Sequence, residues 1–345
     1  MPTLPIAIIG FGRIGEVHAR NCLAMAVSGA PVALAAIVEP REERREAAAR
    51  ALSEQQGAPV RSFPSVHQLL EEMTIAGAIV GSTTASHYSN AKALVESGCR
   101  VLLEKPLTDS PAGDREFTHF LNAHHPEALM LAFQRRFDAP LQWAKSMIDQ
   151  GRIGRPFKFV SILEDSNLMP TGYQTPGLLR DMAIHNVDEL LWLSGQKPSH
   201  IRHTGSRIYS HALTNVDEDF DDALLQFQLG EGAIGQIQVS RNHVAGYRCE
   251  TWVYGEEGMV HVGEFHQNDR EVLAEAFGRD RAPQKQIFPL PPTASGAPEF
   301  VARFGPSYAR ELEVFLHHLT EKTAFPVDQN DGLRATEVLE NAQAV

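Results

Sequence analysis

A glycine turn fixes much of what the first third of this chain can become. Gly10-Phe11-Gly12-Arg13-Ile14-Gly15 follows the apolar run Leu4 to Ile9 and opens the helical stretch Ile14 to Val27. In the pattern G-x-G-x-x-G the first glycine makes a tight turn between strand and helix. The second lets the backbone approach a pyrophosphate, and the third lets helix and strand pack closely. The N–H groups and the positive end of the helix dipole then face the phosphates. Gly10, Phe11, Gly12, Arg13, Ile14 and Gly15 are therefore candidate dinucleotide contacts. The competing reading is a glycine turn that holds no ligand.

Apolar runs at Val32 to Val38, Ala76 to Ser82, Arg100 to Glu104 and Ala128 to Phe133 continue the series. Helical stretches at 41–56, 85–97 and 111–124 lie between them. Alternating strands and helices predict parallel pairing through right-handed crossovers. The pattern changes near residue 135. Helices are expected at 138–150 and 182–193, and strands at 157–163, 223–229, 233–240, 249–254 and 259–262, several joined by short glycine turns that predict antiparallel pairing. Residues 278–298 read as a loop, and 308–319 and 332–344 as closing helices. The expected fold class is α/β: a doubly wound Rossmann domain over 1–134, then an α+β domain over 135–345 with a large, mostly antiparallel sheet.

With 31 basic and 43 acidic residues the formal charge is −12, which argues against nucleic acid or an anionic membrane as partner. No run approaches the 18 or so apolar residues of a membrane span, and the start has no basic leader pattern. Cys22, Cys99 and Cys249 are widely spaced, so neither a disulfide framework nor a zinc–thiolate site is expected. A cytoplasmic protein is the expectation.

Four further positions carry candidate chemistry. Glu39 closes the second strand, where an acid can accept hydrogen bonds from the adenosine ribose and repel a 2′-phosphate. That favours NAD, while Arg41, Arg44 and Arg45 keep NADP open. Glu104-Lys105-Pro106 follows the fifth strand, at the carboxyl edge where ligands of open parallel sheets bind. There Lys105 would hydrogen-bond a substrate hydroxyl and stabilise an alkoxide; the alternative is a surface lysine before a turn. Asp181 and His185 are spaced i, i+4, one helical turn apart. Histidine suits proton removal near neutral pH, with a carboxylate to orient it. Asp181 could instead cap the helix, and His185 could be a core histidine. A metal held by His185 and Glu189 lacks a third ligand at motif spacing, so none is expected.

Taken in order, G-F-G-R-I-G-x-x-H-A-x-N from Gly10, Glu104-Lys105-Pro106, Phe133-Gln134-Arg135-Arg136-Phe137-Asp138, Asp181-x-x-x-His185 and Asp331-Gly332-Leu333 resemble the glucose–fructose oxidoreductase, inositol dehydrogenase and rhizopine catabolism family (Gfo/Idh/MocA). The resemblance implies NAD(P)-linked oxidation of a secondary alcohol on a sugar or cyclitol. It assigns Lys105, Asp181 and His185 to catalysis. Ser82, Thr83 and His87 fall on the cofactor-lining loop after the fourth strand, beside Glu104 and Lys105. Arg135 falls beside nicotinamide and substrate, and Tyr247 near a substrate-contacting tyrosine. One stretch departs: where inositol dehydrogenases tend to carry His-x-Asn, this chain has Leu163-Glu164-Asp165-Ser166-Asn167, leaving Asp165 as the substrate-facing candidate.

The resulting expectation is an NAD-dependent, inositol dehydrogenase-like enzyme, with His185 as general base and Lys105 as polariser and relay. The expected assembly is a homodimer or homotetramer. The rival readings are an NADPH-dependent keto-sugar reductase, a non-catalytic NAD-binding sensor or corepressor, and an enzyme that retains its cofactor and exchanges hydride between two sugars.

Overall fold

The computed structural model describes residues 3–166, 175–208, 219–279, 281–293 and 297–344. The chain forms two compact units. Met1–Phe133 and Tyr308–Leu333 make the first; Gln134–Ser307 and Arg334–Val345 make the second. The sequence alone predicts one crossing near residue 134; the structure adds a return, because 308–333 packs with the first unit.

The first unit contains β1 (Leu4–Ile9), α1 (Arg13–Val27), β2 (Val32–Val38), α2 (Glu42–Gln56), β3 (Arg61–Phe63), α3 (Val66–Glu72), β4 (Gly77–Val80), α4 (His87–Glu96), β5 (Arg100–Glu104), α5 (Pro111–His124) and β6 (Leu129–Ala132). The strands form one parallel sheet in the order β3-β2-β1-β4-β5-β6. That is the strand order of the dinucleotide-binding fold, with its topological switch between β1 and β4. Central strands of such a sheet have both faces covered and read as unbroken apolar runs. Ile6, Ile8, Ile79, Leu102 and Leu103 accordingly have no exposure, each contributing about 1.5–3 kcal/mol by burial. α5 shows how local chemistry sets a boundary: Ser110 accepts from Gly113 N at 3.2 Å, and Pro111 occupies the first turn.

The second unit contains α6 (Ala139–Asp149), β7 (Pro156–Glu164), α7 (Ile184–Ser194), β8 (Ser199–Ser206), β9 (Asp222–Gln228), β10 (Ile234–Ser240), β11 (Arg248–Gly255), β12 (Gly258–Val262), β13 (Glu271–Gly278) and β14 (Arg281–Pro289). The closing elements are α8 (Glu299–Glu321), α9 (Gln329–Glu340) and β15 (Gln343–Ala344). A nine-stranded sheet runs β14-β13-β12-β11-β7-β10-β9-β8-β15. It is mostly antiparallel, with parallel pairs at β7–β10 and β8–β15. α6 packs on β12 and β13, and α7 on β7 and β10.

Several sequence expectations change. β3, β8, β13 and β15 are strands that the sequence reading does not include, and β15 lies where the sequence predicts the closing helix 332–344. Residues 281–289, read as loop, are the edge strand β14. α8 begins at Glu299 and runs through Pro306 rather than starting at Tyr308. No helix among the described residues is long and apolar enough to cross a membrane.

Candidate active site

Within the first unit the predicted cofactor residues converge on the carboxyl edge of the sheet. Gly10 has φ +89°, and a Cβ there would sit 2.4 Å from Ser82 Cα, so the loops after β1 and β4 touch through glycine. A Cβ on Gly15 would lie 2.0 Å from the Gly10 carbonyl oxygen. Gly12 differs: a Cβ there meets nothing within 4 Å, and α1 starts on it without a side-chain cap. Phe11, Arg13 and Ile14 complete the turn. Open space above Gly12 and an uncapped helix start are what a pyrophosphate needs, so these residues fit a dinucleotide.

Glu39 follows β2 and is buried. Its Oε1 accepts from Arg41 Nε at 2.8 Å and Arg41 N at 3.2 Å, and its Oε2 lies 3.4 Å from Phe11 N. Burial opposes its charge, but the Arg41 guanidinium and these N–H groups outweigh it and hold the carboxyl below its usual range. The other two arginines of this region are also engaged. Arg44 donates to Glu16 at 3.1 Å, and Arg45 to the carbonyls of Glu39 and Pro40.

After β4, Thr83 Oγ1 pairs with Ser86 Oγ at 2.8 Å, and Ser82 Oγ accepts from Asn90. His87 is buried, with Nδ1 2.8 Å from the Pro106 carbonyl and Nε2 3.2 Å from that of Ser82. Its ring thus ties the loop after β4 to the turn after β5, which carries Lys105. Lys105 itself is half-buried. Glu104, one residue before it, faces inward and meets His18 Nε2 at 2.9 Å.

The second unit holds the other candidates. Asp181 does not cap a helix. It sits in a π-helical turn, Leu179–Ala183, that runs directly into α7; such turns recur at functional sites. His185 follows in the first turn of α7 and is buried. Arg241, just past β10, lies 3.7 Å from Asp181 Oδ2 while its Nη1 donates to Asp219 at 2.6 Å and its Nη2 to Thr175 at 3.2 Å. A buried arginine anchored to a second carboxylate supports the charge on Asp181. Arg241 carries no signal in sequence, because the register of β10 alone brings it there.

Arg135 is 1% exposed. Its Nη1 donates to Glu189 Oε2 at 2.8 Å, and Glu189 also accepts from Ser161. Next to it, Arg136 pairs with Asp188. The Arg-Arg pair before α6 is thus matched by the Asp-Glu pair of α7. Tyr247 is buried, and burial keeps its phenol protonated well above the ordinary value. Asp165 N donates to the Ser240 carbonyl, which holds the end of β7 against β10. Asn167 lies outside the described residues.

Residues 4–131 match the model of an oxidoreductase family with an NAD-binding Rossmann fold, Gfo/Idh/MocA, and residues 141–261 match that of the Gfo/Idh/MocA C-terminal domain. The chain belongs to the Gfo/Idh/MocA oxidoreductase family. Among its relatives, the myo-inositol 2-dehydrogenase of Thermotoga maritima is 28% identical over 336 residues, covering 96% of this chain and 92% of that protein. The scyllo-inositol 2-dehydrogenase (NAD(+)) of Bacillus subtilis is 27% identical over 312 residues, covering 90% and 84%. The fold also matches the crystal structure of a myo-inositol dehydrogenase from Corynebacterium glutamicum, with TM-score 0.79 at 24% identity, over 99% of this chain and 96% of that one.

Proposed function

We propose that this Gfo/Idh/MocA protein oxidises a secondary hydroxyl of a cyclitol of the inositol type, with NAD as the hydride acceptor. The observation that carries the reading is the presence of Lys105, Asp181 and His185 in a chain whose similarity to inositol dehydrogenases runs through both units. Glu39 supports NAD, since Arg41, Arg44 and Arg45 are each paired within the protein rather than set out for a 2′-phosphate.

Held at the Gly10–Gly15 turn, NAD supplies the carbon that receives the hydride. The chain's own residues do the rest. His185 takes the hydroxyl proton. Lys105 donates a hydrogen bond to the same oxygen and stabilises the negative charge that develops as hydride leaves. Asp181 orients His185 and favours its charged form, and Arg241 holds Asp181 in place. Tyr247, Arg135 and Asp165 are proposed to face the polyol, with Ser82, Thr83, His87 and Glu104 shaping the cofactor side. Exposed Leu224 and Ile234 on strands of the second sheet support a homo-oligomer, which sedimentation would reveal.

The test is reduced-nicotinamide absorbance with NAD and, separately, NADP, against a panel of inositols and aldoses. The expected result is reduction of NAD by at least one inositol isomer. A blank panel, with NAD binding measured by calorimetry, would overturn the reading and favour a non-catalytic sensor. Reduction of NADP in preference to NAD would favour the keto-sugar reductase.

A further inference from the structure

The end of β5 that carries Lys105 rests on a buried trio from three elements. His18 comes from α1, one turn past Gly15; Glu104 closes β5; Glu311 comes from α8. His18 and Glu311 have no exposure and Glu104 has 6%. One ligand atom from each lies within 4.8 Å of the others.

Glu311 is out of character for its surroundings. It interrupts the stripe Tyr308, Leu312 and Phe315, all buried. Neither of its carboxyl oxygens has a hydrogen-bond partner among the described residues. The imidazole is already engaged, with Nε2 on Glu104 Oε1 at 2.9 Å and its ring edge-on to Tyr308. Two carboxylates this close in a buried interior cannot both be ionised. Glu104 has a donor in His18; Glu311 has none. The groups facing Glu311 are thus His18 from α1, Glu104 from β5 and Tyr308 one turn earlier on α8, with no Lys or Arg hydrogen-bonded to it among the described residues.

We propose that Glu311 is a neutral carboxylic acid packed beside the Glu104 carboxylate, and that this pair, with His18, is the positioning device for Lys105. A proton on Glu311 lets α8 lie against the last residue of β5 without the repulsion of two buried charges, while His18 joins the same point to the helix of the glycine turn. Burial, with the charge of Glu104 added, holds the Glu311 carboxyl far above its ordinary range, in agreement with the geometry. No bond is made or broken in substrate by this group; it acts through Lys105, and the positioning role rests on the reading that Lys105 acts on the hydroxyl.

The experiment uses the full chain with carboxyl-labelled glutamate. Infrared spectra at neutral pH should contain a protonated-carboxyl band that E311Q lacks, whether or not a substrate is known. E311Q keeps a neutral group of the same shape, so its kcat should stay within roughly threefold of the parent. E311A leaves a cavity beside Glu104, and its kcat should fall roughly ten- to a hundredfold, with KM for NAD little changed. Absence of the band, its survival in E311Q, or one divalent metal per chain by elemental analysis would each overturn the proposal. So would E311Q losing as much kcat as E311A. If E311A does not fold, the band and E311Q decide. A blank turnover panel with the band present and lost in E311Q sinks the proposed function and leaves the neutral acid standing.

Discussion

Arg41 folds back onto Glu39, its Nε 2.8 Å from Oε1, so the acid at the end of β2 and the nearest arginine neutralise each other. A ribose that replaces this contact would find an ionised acceptor already in place. E39Q should lower the kcat/KM ratio of NAD over NADP by roughly ten- to a hundredfold, the worth of one or two hydrogen bonds to a charged group. Steady-state kinetics with both cofactors check this; an unchanged ratio would mean that Glu39 does not read the ribose.

Two glycines of the same turn should respond in opposite ways. G12A places a methyl in open space, so thermal stability should stay within about 0.5 kcal/mol, while NAD affinity drops at least about tenfold, or ~1.4 kcal/mol. G15A drives a methyl into the Gly10 carbonyl, 2.0 Å away, and should destabilise the fold by about 1–3 kcal/mol. Melting curves with and without NAD separate the two.

Lys105 and His185 are assigned roles in proton handling rather than in cofactor binding. K105A and H185A should each cut kcat by about 10²–10⁴, with NAD binding by calorimetry unchanged. Near-parental turnover in both would remove them from the chemistry.

His87 gives an acid sensitivity of predictable sign. Burial pushes its imidazole below the ordinary 6.5, against the opposing pull of the Pro106 carbonyl, the charge of Glu104 and the Ser82 carbonyl. The unfolded chain therefore takes up a proton near 6.5 that the folded chain resists. Its contribution to stability is present above about pH 6.5 and is lost as pH falls toward the folded value. H87N, which retains a donor for Pro106, should show a flatter fall in melting temperature between about pH 6.5 and 5.

The elements that were legible share one property: each declares itself locally. β1 and the glycine turn, α5 with Ser110 and Pro111, and the Glu-Gly turns between β9 and β12 all carry their boundary signals in sequence. β14 did not, because it is an edge strand whose mostly exposed side chains need no apolar alternation, and Pro283 and Pro289 read as breakers. Gly305-Pro306 likewise reads as a stop. The helix continues because contacts hold it on both sides: Arg303 makes a bidentate pair with Asp138 at 2.8 Å, and Tyr308 is buried. At the site, motif residues were found by type and spacing. Arg241 and Glu311 were not, since their significance lies in what the fold places beside them.

The return of residues 308–333 to the first unit has a consequence for the order in which this protein can be made. Arg100, which opens β5, donates to the carbonyls of His318 and Thr323, and Leu131 N to that of Val327. Gly77 of β4 lies under Leu319 and Phe315. A nascent chain halted at residue 307 would have synthesised every strand of the parallel sheet, yet would hold these polar groups and this apolar surface bare. The nucleotide unit is thus completed only after β7 to β14 of the other unit have been made, and a truncation before residue 308 damages the nucleotide fold.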